Sequence, residues 1–250
     1  MAVHLNWSLP TKSSLAFLHR TFQEAPAPPR LLSVRSQKLS SGSGDPFLSN
    51  ASGFGPRKSA NLDRPEASIG SSGSSSSSTT KRKGWINNGI KGPESIADHM
   101  YRMALMALIA GDLHGVNRER CIKIAIVHDI AEAIVGDITP SDGIPKKEKS
   151  RLERAALKEM CEVLGGGIRA DEIKELWEEY ENNSSLEANL VKDFDKVELI
   201  LQALEYEMEH GKVLDEFFHS TAGKFQTEIG KSWAAEITSR RNSWLGNRPN

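Results

Sequence analysis

The segment RERCIKIAIVHDIAEAIVG, residues 118–136, constrains the fold more than any other part of this 250-residue chain. Its apolar residues cover most of a helical circumference, which is typical of a helix buried on several sides. Gly136 supplies the signal that ends it. We therefore predict one central helix, around which the other helices of the chain pack.

A second clear helix precedes this segment. Apolar residues keep 3/4 spacing from Ile96 onward, Ser95 supplies a start signal and Gly111 a stop. Similar patterns predict further helices at about residues 145–164, 171–180, 186–209, 213–220 and 224–241. Strand-like alternation is nearly absent and we find no internal repeat. The sequence therefore predicts an all-α fold, a single helical bundle with its core at about residues 81–241 of a folded unit at 81–250.

The first 80 residues differ in composition from the rest. They are rich in serine, hold eight Lys/Arg against four Asp/Glu, and end in the low-complexity run SIGSSGSSSSSTT. So little apolar content cannot offset the entropy of ordering, which predicts that residues 1–80 are disordered. A serine-rich, basic and acid-poor N-terminus resembles an organelle transit peptide. We expect a plastid or mitochondrial location, or a cytoplasmic one if the segment is an ordinary low-complexity tail.

Overall charge and cysteine content exclude several classes of partner and site. Lys plus Arg number 32 against 33 Asp plus Glu, a net charge of −1, so no electrostatic attraction to nucleic acid or to a membrane surface is expected. No window holds the roughly 18 apolar residues of a membrane span. Cys121 and Cys161 lie far apart and outside any CxxC pattern, which argues against a disulfide framework or a structural zinc site and favours a reducing compartment.

Four groups that can carry charge lie in and just after the apolar segment: His128, Asp129, Glu132 and Asp137. The first three can share one side of a helix, because residues three and four positions apart are neighbours there. Carboxylates are costly to bury alone, and a cation that they and the imidazole coordinate removes that cost. The pattern therefore predicts a metal site.

One helix cannot complete the coordination of an ion, so other helices must supply ligands. His99 lies on the apolar face of the preceding helix, and Asp193, Asp195 and Glu198 lie among apolar residues of the long helix at about 186–209. A set of nitrogen and oxygen donors without thiolate suits Mn²⁺, Co²⁺, Fe²⁺, Ni²⁺ or Zn²⁺, and suits Mg²⁺ less well. Spacing alone leaves the choice between the two aspartates open.

Three segments together resemble a known family: PESIADHMYRMA, AIVHDIAEAIVGDITPSDGIPKKEK and DKVELILQALEYE. They are similar to the H…HD…D signature of the HD-domain metal-dependent phosphohydrolases, in particular the 5′-deoxynucleotidases of the HD domain-containing protein 2 type. The resemblance covers roughly residues 81–231. It implies an α-helical bundle, usually dimeric, that acts on deoxynucleoside monophosphates with a divalent ion such as Mn²⁺ or Co²⁺, Zn²⁺ and Mg²⁺ being alternatives.

The resemblance also implies roles for individual residues. The principal ion would be held by four side chains, those of His99, His128, Asp129 and Asp195. A second ion would be held by Glu132, Asp137 and the main-chain carbonyl of Ile138. Glu132 is also the position to which the family assigns a catalytic role, so it is expected to act in the chemistry, as a ligand, or as both.

Substrate contacts are implied for Trp85, Asp137 and Thr139. Bacterial relatives have an arginine directly before the tryptophan, whereas this chain has Gly84, so recognition of the phosphate or the base is expected to differ. Simpler structural roles are also open: Asp137 suits a helix cap and Trp85 a core anchor. The lysines of KKEKSRLER suit a solvated helix face, or contacts to phosphate.

Three functional hypotheses follow. The first is removal of the 5′-phosphate from deoxyribonucleoside monophosphates by a homodimeric enzyme. The second keeps the metal site but changes the substrate to a dNTP, a cyclic dinucleotide or (p)ppGpp. The third is a non-catalytic binding protein in which the metal only stabilises the fold.

Overall fold

The computed structural model describes residues 79–111 and 113–247. Its helices are α1 (Lys83–Asn87), α2 (Ile96–Ile109), α3 (Arg118–Val127), α4 (Glu132–Val135), α5 (Lys146–Val163), α6 (Gly167–Asn182), α7 (Leu186–His210), α8 (Asp215–Thr221) and α9 (Glu228–Gly246), with a 3₁₀ turn at Pro140–Asp142. Within the described residues, β pairing is limited to one isolated bridge between Lys81 and Ser95. The prediction of an all-α fold is confirmed.

Helix α7 lies at the centre of the bundle. It packs against α2, α3, α6, α8 and α9, while α2 and α3 pack on each other. Met103 of α2, Ile124 of α3, Phe194 of α7 and Ile237 of α9 are all fully buried where these helices meet. Burial of this apolar surface stabilises the arrangement and holds α2, α3 and α7 side by side.

The start of α2 follows from a reciprocal cap. Ser95 Oγ accepts a hydrogen bond from Asp98 N at 3.2 Å, and Asp98 Oδ2 accepts one from Ser95 N at 2.8 Å. This capping box satisfies two backbone donors at the first turn. It fixes the beginning of the helix that carries His99.

The single helix predicted over residues 118–136 is divided in the structure. Regular α-helix ends at Val127, residues 128–131 form turns, and α4 covers only Glu132–Val135. Hydrogen bonds from Ile130 N to the Val127 carbonyl, at 3.1 Å, and from Glu132 N to the Asp129 carbonyl, at 3.0 Å, span three residues instead of four. This tighter winding ends the regular helix at the charged pair.

The remaining predicted helices are present with shifted ends. Helix α6 begins at Gly167 rather than at about residue 171, α9 runs from Glu228 to Gly246 rather than over 224–241, and the short α1 was not predicted. Nearly all of the N-terminal segment 1–80, with its predicted disorder, lies outside the described residues. No helix in the described part of the chain combines the length and the apolarity required to cross a membrane.

Candidate metal centre

The four side chains predicted to hold the principal ion meet at one point. His99 comes from α2, His128 and Asp129 from the turn after α3, and Asp195 from α7. His99 Nε2 lies 3.3 Å from Asp195 Oδ1 and 3.8 Å from Asp129 Oδ2, and His128 Nε2 lies 3.2 Å from Asp129 Oδ2. Such separations suit donors to one ion, since metal–ligand bonds of about 2 Å place neighbouring donors about 3 Å apart. We call these four residues the metal cluster.

The imidazole nitrogens that face this point have no hydrogen-bond partner. Both rings are buried, and Nε2 of each is inaccessible to solvent and makes no hydrogen bond. Each has only an ion-pair contact, His99 with Asp195 Oδ1 at 3.3 Å and His128 with Asp129 Oδ2 at 3.2 Å. Buried polar atoms in native proteins are nearly always satisfied, so two unpaired nitrogens aimed at carboxylates require an explanation. A divalent cation bound between them supplies it, and the residues present therefore fit a metal ion.

The opposite nitrogen of each ring is held by the protein. His99 Nδ1 lies 2.7 Å from Glu198 Oε2, and His128 Nδ1 lies 2.9 Å from the carbonyl oxygen of Ala125. A carboxylate or carbonyl on Nδ1 orients the ring and leaves Nε2 as the atom presented to a metal. Glu198 is in turn paired with Arg102 Nε at 2.8 Å. Glu198 therefore lies behind His99 in the structure.

The surrounding charges keep both aspartates of the metal cluster ionised. Burial alone would raise the pKa of Asp129, but His128, His99 and Arg82 hold that pKa well below its usual range. Asp195 behaves in the same way, its pKa lowered against the effect of burial chiefly by His99. Two ionised carboxylates beside two imidazoles form a site that attracts a cation.

The two aspartates of α7 are separated by the fold. Asp193 is fully buried and accepts hydrogen bonds from Gln226 N at 2.9 Å, from Thr227 N at 2.6 Å and from Thr227 Oγ1 at 2.7 Å. It thereby fixes the chain where α9 begins. Asp195 instead faces the metal cluster and accepts a hydrogen bond from Tyr180 OH at 2.9 Å. Of the two aspartates, Asp195 is therefore the one that the structure places with the metal cluster.

Glu132 lies beside the metal cluster at the start of α4. It is 2 % exposed, its Oε1 is 3.1 Å from Lys149 Nζ, and its Oε2 has no hydrogen-bond partner. Burial, together with the charges of Asp129 and Asp137, raises the pKa of Glu132 to about 9, although Lys149 opposes this shift. Glu132 therefore holds a proton to much higher pH than an ordinary carboxyl does.

The loop after α4 carries the other predicted site residues. Gly136 adopts φ 78° and ψ 166°, a conformation that only glycine adopts readily. Asp137 Oδ2 then accepts a hydrogen bond from Lys83 N at 2.7 Å, and Thr139 N donates one to Asp142 Oδ2 at 2.8 Å. Asp137, Ile138 and Thr139 all line the cavity that also contains Glu132, so the three members of the predicted second-ion set border one cavity.

Trp85 is placed in the core. It is 1 % exposed, and its Nε1 donates a hydrogen bond to Glu94 Oε1 at 2.9 Å. Its ring packs edge-on against Tyr206, with ring centroids 5.2 Å apart, and lies 4.3 Å from the ring of Phe217. It borders the cavity, but nearly all of its surface is used by contacts within the protein.

A cavity of about 730 Å³ opens from the metal cluster. Several residues that line it were not assigned to the site from the sequence, among them Arg82, Lys149, Tyr180 and Phe217. Arg82 Nη1 lies 3.4 Å from Asp129 Oδ2. Two features of the sequence pointed to cations near the site, the basic run before Trp85 and the lysines of KKEKSRLER. Neither feature shows which of these side chains faces the cavity.

Comparison with known proteins agrees with this geometry. The HD domain model matches residues 76–237 of the chain. The chain is 55 % identical over 146 residues to a 5′-deoxynucleotidase HDDC2 of Danio rerio, covering 58 % of this chain and 72 % of that protein. It is 47 % identical over 164 residues to the bovine 5′-deoxynucleotidase HDDC2, covering 65 % of this chain and 79 % of that protein.

Solved structures agree as well. A conserved hypothetical protein from Pyrococcus furiosus matches with a TM-score of 0.56 and 34 % identity, over 68 % of this chain and 96 % of that one. The family model extends over more than half of the chain and spans every member of the metal cluster. This chain belongs to the HD-domain family.

Proposed function

We propose that this protein is a divalent-metal-dependent phosphohydrolase that removes the 5′-phosphate from deoxyribonucleoside monophosphates. One observation carries the proposal: two buried, unpaired imidazole nitrogens and two ionised carboxylates converge on the wall of a cavity of about 730 Å³. Such a cavity has room for a small organic ligand. The similar HDDC2 proteins are named 5′-deoxynucleotidases, which supports this substrate class.

His99, His128, Asp129 and Asp195 would hold the principal ion. Nitrogen and oxygen donors without a thiolate favour Mn²⁺ or Co²⁺, with Zn²⁺ and Mg²⁺ as alternatives. When bound, a divalent ion supplies Lewis acidity, which lowers the pKa of water and polarises a phosphoryl oxygen. Glu198 and the Ala125 carbonyl keep the two rings in the orientation that this requires.

Glu132 is proposed as the residue that manages the proton of the attacking water. Its unpaired Oε2 is buried next to the metal cluster, so it can accept a hydrogen bond from water in the cavity. The water oxygen forms a new bond to phosphorus, the bond from phosphorus to the 5′-oxygen breaks, and a proton reaches that oxygen. The products are a deoxynucleoside and phosphate.

Two cations lie where they can meet the substrate phosphate. Arg82 and Lys149 both line the cavity, close to Asp129 and Glu132 respectively. The carboxylates of the cavity would otherwise repel a dianionic phosphate, so cations beside them are needed for binding. The proposed second ion at Glu132, Asp137 and the Ile138 carbonyl would serve the same end.

The test is hydrolysis by the full chain, stripped of metal and resupplied with Mn²⁺, Co²⁺, Zn²⁺ or Mg²⁺. The panel contains all deoxy- and ribonucleoside monophosphates, with dNTPs, cyclic dinucleotides and (p)ppGpp alongside. We expect metal-dependent turnover of the deoxy series, and a loss of at least about 100-fold in kcat in Glu132→Gln. Turnover of dNTPs, cyclic dinucleotides or (p)ppGpp alone would overturn the substrate assignment. Stoichiometric metal binding without turnover of any nucleotide would favour a non-catalytic binding protein.

Two further proposals concern the whole chain. Residues 1–80 are proposed as a plastid or mitochondrial transit segment on the basis of their composition. When that segment is fused to a fluorescent protein, the fusion protein should be found in an organelle. A diffuse cytoplasmic signal would contradict the proposal. The family resemblance supports a homodimer, which light scattering tests directly.

A further inference from the structure

We propose that Phe217 of α8 is the aromatic side chain that contacts the nucleobase of the substrate. The inference rests on the proposed function and deepens it, because it assigns base recognition to a helix that supplies no member of the metal cluster. The sequence had suggested Trp85 for a contact with the substrate. Three features of the structure favour Phe217 instead.

The first feature is that Trp85 is already engaged on several sides. Its indole N–H is used by Glu94, and its ring is enclosed by Tyr206 and Phe217. At 1 % exposure it offers almost no surface on which a base can stack. Trp85 therefore supports the wall of the cavity from behind.

The second feature is the position of Phe217 in front of Trp85. The two ring centroids are 4.3 Å apart, with the planes tilted by 36°. Phe217 is only partly buried and lines the cavity that contains Asp129 and Glu132. A β-carbon added at Gly84 would lie 3.7 Å from Phe217 Cε1, so the ring packs over a residue that has no side chain. Phe217 is thus held in place on one side while it borders the cavity.

The third feature is the chemistry of the residues around Phe217. Uncharged amide and hydroxyl groups line the same cavity, in Asn87, Asn88, Ser141 and Ser220, together with the carboxylate of Glu216 next to Phe217. Asn88 Nδ2 donates to Glu216 Oε1 at 2.6 Å, and Asn87 Nδ2 donates to Ser141 Oγ at 3.0 Å, so these groups are anchored by the loop and by α8. Amides and hydroxyls are groups that pair with the polar edges of bases.

The cavity therefore has two chemically different parts. The metal cluster, Arg82 and Lys149 provide charges suited to a phosphate, and the part beside α8 provides an aromatic ring, polar groups and one carboxylate, that of Glu216, but no cation among its described lining residues. A nucleotide has the same division, with a charged phosphate at one end and a flat base at the other. Every base has a π face, so stacking on Phe217 would contribute to binding for all four deoxynucleotides.

The test compares two ligands of Phe217→Leu, a deoxynucleoside monophosphate and 2-deoxyribose 5-phosphate, which lacks only the base. For the nucleotide, KM is measured. For the sugar phosphate, the inhibition constant is measured with the nucleotide as substrate, because an inhibition constant is defined whether or not the sugar phosphate is itself hydrolysed. We expect about a tenfold rise in KM for the nucleotide, from the loss of one stacking contact. The inhibition constant of the sugar phosphate should stay within about twofold, and Phe217→Trp should retain tight nucleotide binding.

The matched control is Phe218→Leu, one residue further along α8. Phe218 packs against the core, and the Arg241 guanidinium lies over its ring at 4.0 Å. Its replacement should lower thermal stability without separating the two ligands. Equal weakening of both ligands by Phe217→Leu, or no weakening of either, would overturn the inference. A wild-type protein that hydrolyses no deoxynucleotide would instead overturn the proposed function, and this inference with it.

Discussion

Asp193 and Asp195 show how the surroundings of a residue decide its role. Both lie on α7 and both are aspartates in an apolar context, yet one receives backbone donors from the start of α9 and the other faces two imidazoles. A carboxylate that satisfies buried N–H groups contributes to stability. A carboxylate that faces imidazole nitrogens is a donor available to a metal ion.

This difference predicts opposite outcomes for the two alanine variants. Asp195→Ala should lose stoichiometric metal binding, and it also removes the acceptor of the Tyr180 hydroxyl. Asp193→Ala should keep metal binding but lose about 1–3 kcal/mol of unfolding free energy, because N–H groups of Gln226 and Thr227 lose their acceptor. Metal titration and urea unfolding on both variants check this, and retention of metal binding by Asp195→Ala would contradict it.

Lys149 lowers the pH at which Glu132 becomes ionised, against the larger effect of burial. The lysine charge lowers the raised pKa of Glu132, so Lys149→Met should raise that pKa further. The ionised carboxylate accepts the proton, so activity exists above its pKa and is lost below it. The acidic limb of the kcat/KM profile should therefore move to higher pH by on the order of one unit.

Lys149→Arg is the matched control for this prediction, because it keeps the positive charge and should leave the limb close to its wild-type position. A profile that keeps its shape in Lys149→Met and only falls in height would show that the lysine acts on binding alone.

At the level of single residues, the sequence named the four side chains that the structure brings together, but not the residues that surround them. His99, His128 and Asp129 stand out because a charged group in an apolar helix requires a partner. Lys149 and Phe217 do not stand out, since a lysine in a basic run and a phenylalanine in a short helix are common on any surface. Their inward position depends on how α5 and α8 pack, which local spacing does not encode.

At the level of elements, helix periodicity predicted which segments are helical but not how they end. The segment 118–136 has helical spacing throughout, and the structure divides it after Val127. The turns at 128–131 place Asp129 at the cavity, and they also place Glu132 there, at the start of α4. The positive φ of Gly136 is what turns the chain from α4 into the Asp137 loop.

Two glycine variants separate this backbone requirement from general strain. A β-carbon added at Gly136 or at Gly143 would have no neighbouring atom within 4 Å. The loss of stability in each alanine variant therefore depends on the backbone conformation alone. Gly136 has φ 78° and ψ 166°, a glycine region, and its replacement should cost about 3 kcal/mol and most of the activity. Gly143 has φ 68° and ψ 11°, a left-handed conformation that other residues tolerate, and should cost about 1 kcal/mol.

Urea unfolding and kcat/KM of both glycine variants are the measurements. Equal losses of stability in the two variants would show that the Gly136 conformation has no special role in positioning the loop.

At the level of the whole molecule, the metal cluster joins segments that are distant in the chain. His99 and Asp195 lie on α2 and α7, and both helices pack on α3, which leads directly to His128. An ion that binds only this folded arrangement stabilises all three helices together. Metal binding and folding are therefore linked, and protons enter the same linkage because they compete for the ligand atoms.

This competition predicts that metal binding releases a proton. Burial and the nearby Arg82 lower the pKa of His99, but Glu198 and Asp195 outweigh them and raise it to about 10. At neutral pH the metal-free His99 ring thus carries protons on both nitrogens, and the Nε2 proton must leave when an ion binds. Apparent affinity should fall about tenfold for each unit of decreasing pH below 10.

Calorimetry of Mn²⁺ binding in two buffers of different ionisation enthalpy measures the number of protons released, and we expect about one per ion from His99. Glu198→Gln is the matched variant, because it removes the carboxylate that raises the pKa of His99 while an oxygen remains to accept from Nδ1. That variant should release fewer protons at the same pH. Binding heats that are identical in both buffers for the wild-type protein would mean that His99 is already neutral before the ion arrives.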